Sequence, residues 1–151
     1  MTQEEKELLV KDISARLPYG VKIKTEYFTK ATLVEIRKNI SYGACKDLLV
    51  TYDISGEETP YQSEERSSTI SKIKPYLFPL SSMTEEQKKY IANRWGINED
   101  FDFEIDPNWG KYLVDLGDVV DYVNWLIENH FDFNWLIPKG LAIDATGLKI
   151  Y

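Results

Sequence analysis

Apolar and polar residues in the first eighty positions follow two successive periods. Leu9, Ile13 and Leu17 recur every four positions, with Leu8 and Val10 widening the stripe, which predicts an amphipathic helix. Thr2 and Glu5 stand at capping-box spacing at its start, and Pro18-Tyr19-Gly20 ends it. The period then shortens to two. Val21, Ile23, Thr25 and Tyr27 alternate with Lys22, Lys24 and Glu26, and after a turn Val34, Ile36 and Ile40 alternate with Glu35, Arg37 and Asn39. Leu48, Val50, Tyr52 and Ile54 then alternate with Leu49, Thr51 and Asp53. Each run predicts a strand, and a fourth, weaker strand is expected over 68–74 after the polar loop 55–67. Strands in succession predict an antiparallel meander, either curled into a small SH3-like barrel or resting on the first helix.

Beyond residue 80 the pattern is mainly helical. Thr84 and Gln87 repeat the capping-box spacing, Tyr90, Ile91 and Trp95 share a side, and Gly96 stands where a left-handed C′ residue belongs. A second helix is expected over 118–129, with Asp118 as cap, Asp121 near the positive end of the dipole, and Val119, Val123, Leu126 and Ile127 as its apolar face. Residues 141–151 alternate weakly around Thr146-Gly147 and suggest a closing hairpin. The fold class read from the chain is α+β: an N-terminal helix and small antiparallel meander packed against a mainly helical C-terminal half. A boundary near residue 80, at Pro75, Pro79 and Ser81-Ser82, divides it into subdomains 1–80 and 81–151.

Composition changes this picture by locating charge. The chain of 151 residues carries a formal charge of −7, from 18 Lys+Arg against 25 Asp+Glu. Residues 1–80 hold 12 of each sign, whereas residues 81–151 hold 6 basic and 13 acidic side chains and all four tryptophans. Such a balance disfavours direct binding to nucleic acid, which needs a cationic surface to release counterions. A chain of this mass buries about 69% of its unfolded surface, enough for a core without disulfides or metal. Met1-Thr2-Gln3-Glu4-Glu5-Lys6-Glu7 is not a signal peptide, and no window reaches the length of a membrane span. Cys45, the lone cysteine, fits a reducing cytoplasm.

Candidate chemistry is sparse. Cys45 and His130 stand 85 positions apart without flanking signatures; they read as a small apolar residue near a turn and a helix-terminal cation or polar cap. Asp100, Asp102 and Glu104 match the first half of a calcium loop, but Ile105 occupies the glycine position and Lys111 that of the bidentate Glu. Their alternation with Phe101, Phe103 and Ile105 reads as an edge strand with a solvated carboxylate face. No phosphate-binding glycine pattern occurs, and no cofactor or metal is expected. The densest feature is aromatic and acidic: its aromatics as a group read first as filling the core between meander and helices, and Trp109, Tyr112, Asp118, Asp121, Tyr122 and Trp125 are the candidate partner-binding residues. Trp and Tyr give large contact area at low entropy cost, and the acids beside them suit a basic partner.

Several stretches together resemble a known group. Arg16-Leu17-Pro18-Tyr19-Gly20-Val21-Lys22 and Ile73-Lys74-Pro75-Tyr76-Leu77-Phe78-Pro79-Leu80-Ser81-Ser82-Met83-Thr84 are two of them. With Asp121-Tyr122-Val123-Asn124-Trp125-Leu126, Phe131-Asp132-Phe133 and Leu136-Ile137-Pro138-Lys139-Gly140-Leu141-Ala142, they resemble a family of small uncharacterised proteins of gut Bacteroidetes and their prophages or mobile elements. The resemblance implies a bacterial, phage-linked, cytoplasmic origin; no activity is established for that family, so it transfers no site residue. The function expected is therefore a non-enzymatic module that binds another protein. An acidic DNA mimic, with carboxylates along one face, and a carboxylate-dependent hydrolase, with convergent acids in a pocket, are the alternatives.

Overall fold

The computed structural model describes residues 1–38, 48–54, 66–97 and 116–151. Helix α1 (Gln3–Arg16) begins with the expected capping box, in which Thr2 Oγ1 accepts from Glu5 N–H at 3.1 Å and Glu5 Oε2 accepts from Thr2 N–H at 2.7 Å. Pro18 lies in a 3₁₀ turn, Leu17–Tyr19, and Gly20 in the left-handed region releases the chain into β1 (Lys22–Lys24). Strands β2 (Ala31–Lys38), β3 (Leu48–Asp53) and β4 (Arg66–Thr69) follow as antiparallel neighbours. A 3₁₀ turn, Ile70–Lys72, then carries the chain to β5 (Lys74–Leu77), which pairs antiparallel with β1 rather than with β4. Helices α2 (Glu85–Trp95) and α3 (Leu116–Glu128) come next, and β6 (Ile143–Asp144) pairs parallel with β5.

The sheet order is β4-β3-β2-β1-β5-β6, so the architecture is α+β with a six-stranded, mostly antiparallel sheet and a C-terminal helical part. Its edges are β4 and β6, which do not pair, so the sheet is open and no SH3-like barrel closes. The meander rests on the first helix instead. Leu9 and Ile13 of α1 share one core with Val21, Ile23, Leu33, Val50, Tyr52, Ile54, Ile70 and Leu77. Leu136, Leu141 and Ala142 join the same core from the far end of the chain. A second core gathers Met83, Ile91, Ile97, Tyr122, Leu126 and Phe131, flanked by Trp95 and Trp125.

Four local expectations change. The strand expected through Tyr27 stops at Lys24, because Thr25 Oγ1 accepts from the amides of Tyr27 and Phe28 and folds the chain into a turn. In β2 a bulge between Leu33 and Glu35 reverses the alternation: Leu33 is buried, Val34 is exposed, and Ile36 returns toward the core. The single strand expected over 68–74 is divided by the 3₁₀ turn around buried Ile70, and Lys74–Leu77 becomes a strand between β1 and β6. The closing hairpin does not form. Only Ile143–Asp144 is extended, in parallel with β5, after which Asp144 Oδ1 accepts from Thr146 N–H at 2.8 Å in a turn. The expected strand over 98–107 lies outside the described residues, as does Ile40.

Candidate functional site

The end of β5 is where the two cores meet. Phe78 N–H donates to the His130 carbonyl at 2.9 Å, and Asp132 N–H donates to the Phe78 carbonyl at 2.7 Å, a parallel bridge that ties the segment after α3 to the sheet. α3 itself ends in a Schellman motif: Phe131 N–H donates to Leu126 O at 2.9 Å and His130 N–H to Ile127 O at 3.1 Å. His130 thus occupies the C′ position, with φ 59°, where glycine or asparagine is usual. Its ring stacks on Tyr151, with centroids 4.1 Å apart and planes 17° from parallel. The Tyr151 hydroxyl donates to Tyr76 O at 2.7 Å and accepts from Lys22 N–H at 3.3 Å, so the stack is anchored on β5 and β1.

A buried ion pair holds the same junction from below α3. Arg16 and Asp12, one helical turn apart on α1, bury their side chains completely. Arg16 Nε and Nη2 donate to the two Asp12 oxygens at 2.7 and 3.0 Å, a bidentate pair. Its remaining donors reach Phe131 O at 2.7 Å and Ile127 O at 3.3 Å, capping carbonyls at the end of α3. Asn134 Nδ2 adds a bond to Asp12 Oδ1 at 2.8 Å, and the guanidinium lies 5.6 Å from the centroid of the Phe133 ring. This fork-to-fork geometry satisfies two charges that would be costly to bury alone.

Electrostatics follow from that burial. Burial first and the Arg16 charge after it push His130 down to about 4, against a hydrogen bond with the backbone of Tyr19, and the Lys22 charge adds the least. His130 is therefore a neutral ring at neutral pH, which corrects the helix-terminal cation read from its position in the chain. Burial raises the Tyr151 and Tyr122 hydroxyls above the usual tyrosine value.

Two clefts open at this junction. One, of about 460 Å³, lies between the start of α2 and the end of α3, with Phe78, Phe131 and Tyr151 as its aromatic lining and Thr84, Gln87, Glu128 and Asn129 among its polar lining. The other, of about 330 Å³, is largely apolar and is lined by Pro79, Leu80, Trp135, Ile137 and Pro138 with Ser81 and Asp132. Trp135 is 64% exposed and takes φ 58°, a second left-handed residue without glycine's freedom. Its conformation is imposed by buried Asp132, whose carboxylate oxygens accept from Leu136 N–H at 2.8 Å and Ile137 N–H at 2.7 Å. Leu141 N–H closes the loop onto Leu136 O at 2.9 Å. A backbone held this way loses little freedom when the indole is covered, and strained positions of this kind concentrate at functional surfaces.

The candidate residues read from the chain fall into separate places. Trp109 and Tyr112 lie outside the described residues, as do Cys45 and the acidic run Asp100, Asp102 and Glu104. Tyr122 is buried in the second core, its ring 5.6 Å from Trp95. Trp125 is partly buried there, stacked on Phe131 at 5.7 Å and 5.9 Å from Tyr90. Asp118 lies within the first turn of α3, which starts at Leu116, and so is not the cap expected; it and Asp121 both approach Arg94 of α2, at 4.0 and 3.9 Å. Among the described residues no group of three His, Cys, Asp or Glu side chains could hold a metal ion. No helix among them is long and apolar enough to cross a membrane.

The candidate residues read from the chain leave out Asp12, Arg16, Asp132 and Trp135, and His130 enters there only as a helix-terminal cation or polar cap. A signal for the first two exists: Leu9, Asp12, Ile13 and Arg16 stand at i, i+3, i+4 and i+7, so the pair occupies the stripe that faces the core. His130 carries a weak signal, since histidine is enriched among non-glycine residues of the left-handed region, whereas Trp135 is of a type that does not mark such a position. Comparison with protein-family models, with curated proteins and with solved structures finds no match for this chain.

Proposed function

We propose that this protein is a non-enzymatic interaction module that docks another protein through the surface around Trp135. The observation that carries the reading is a largely exposed indole, in a strained and hydrogen-bonded loop, beside an apolar cleft walled by Pro79, Leu80, Ile137 and Pro138. A preorganised Trp next to a small apolar recess has the chemistry of a binding hot spot. The acidic balance of residues 81–151 favours a partner with a basic rim, and a bacterial, phage-linked, cytoplasmic setting belongs to the same proposal. The DNA-mimic alternative draws no support from Asp118 and Asp121, whose carboxylates turn to Arg94.

The test is site-specific photocrosslinking in cells, with a benzophenone amino acid in place of Trp135 or, as control, of Tyr27, which is 79% exposed on the turn after β1. A discrete adduct from position 135 that is missing from position 27 is expected. Equal labelling from both positions, or none from 135, sinks the reading.

A further inference from the structure

Independently of the Trp135 surface, we propose that the cleft between the start of α2 and the end of α3 binds a small organic ammonium ion, an amine carried on an apolar body. Charge decides the sign of the ligand. Among the described residues Glu128 is the single ionised side chain lining the cleft, and neither Lys nor Arg lines it. Among the described residues Glu128 makes no ion pair or side-chain hydrogen bond, so its carboxylate is open to an incoming donor. The C-terminal carbonyls of α3 already accept from Arg16, so the attraction for a cation comes from the Glu128 carboxylate and not from the helix end. The facing α2 terminus is not a competing anion site, since its first turn already carries Glu85 and Glu86 and its cap is closed by Thr84 and Gln87.

The spent and unspent valences of the lining agree. Asn129 Nδ2 donates to Trp125 O at 2.8 Å, which leaves its Oδ1 to accept. Ser82 Oγ donates to Pro79 O at 2.7 Å, which leaves its lone pairs. With the Glu128 carboxylate these make three acceptor groups for an ammonium. On the α2 side Thr84 Oγ1 and Gln87 Oε1 already accept from each other's backbone amides at 3.3 and 2.9 Å. The Thr84 hydroxyl hydrogen and the Gln87 amide hydrogens remain for a polar atom on the ligand body. Phe78, Phe131 and Tyr151 supply the apolar wall for the ligand body. A cleft of about 460 Å³ admits a ligand of one aromatic ring and a short amine arm.

The experiment is an amide-resolved NMR titration of the full chain with three probes of one shape: 2-phenylethylamine, 2-phenylethanol and phenylacetate. The amine is expected to shift Gln87, Glu128 and Asn129 saturably, the alcohol more weakly, and the acid not at all. Glu128→Gln, an exchange at an exposed site, is expected to weaken the amine about fivefold, to the level of the alcohol, with the remaining spectrum unchanged. Four results overturn the proposal: no saturable shift by about 20 mM amine, shifts confined to other residues, equal response to phenylacetate, or undiminished amine binding by Glu128→Gln.

Discussion

His130 shows how much one side chain's surroundings can alter its role. As an isolated imidazole it would titrate near 6.5, but in the folded chain burial and the Arg16 charge hold it at about 4. The unfolded chain therefore takes up a proton first as pH falls. The resulting stabilisation is fully present above pH 6.5 and is lost progressively down to pH 4. Discounted for solvent reaching the cleft side of the ring, the loss between pH 7 and 4.5 is about 2 kcal/mol. Urea unfolding at the two pH values should show that loss in the wild type and its disappearance in His130→Asn. Asparagine tolerates the left-handed backbone but has no proton to gain. The same residue scale holds the limits of sequence reading: Trp135 takes positive φ because the bonds of the Asp132 carboxylate to Leu136 and Ile137 over-determine it, and its residue type does not announce that.

Elements were the most legible level. Both capping boxes form at the residues expected, and Gly96 takes the left-handed C-cap with φ 64°. These features depend on groups within a few residues of one another, so local spacing suffices to find them. Thr84→Ala should cost about 1 kcal/mol in chemical denaturation, because the Gln87 amide loses its acceptor. Thr84→Ser should recover most of it. Strand ends were less legible than helix ends. The bulge in β2 and the Thr25 turn each break a period-two pattern that hydrophobicity alone would extend. Residues 68–74 read as one weak strand because the pattern carries no mark of the 3₁₀ turn at Ile70–Lys72.

For the whole molecule, the decisive contacts join positions far apart in the chain. Arg16 bonds to carbonyls 111 and 115 positions away, and Asn134 reaches back to Asp12. Removing one member of this pair leaves the other charge buried without its partner. Asp12→Ala should therefore destabilise the fold by about 3–5 kcal/mol in urea denaturation, far more than an exposed pair such as Lys88–Glu85 would. Asp12→Leu with Arg16→Met should recover a substantial part of that loss, since no charge is then left uncompensated. If the double variant is as unstable as Asp12→Ala, the capped carbonyls of Ile127 and Phe131 rather than the ion pair carry the effect.

Period and capping residues alone determined that this chain is α+β, where α1 and α2 start and stop, and that strands follow the first helix. Those properties arise from side chains and backbone groups within a turn or a pleat of each other. The tertiary structure alone decided that the sheet stays open, that β5 returns to β1 and receives β6, and that the Asp12–Arg16 pair caps the end of α3. It also decided where the clefts lie, because both are lined from segments around residue 80 and beyond residue 127 that only long-range pairing brings together. Alternation shows that a strand has a buried face, but the energy that selects its neighbour comes from the whole core at once.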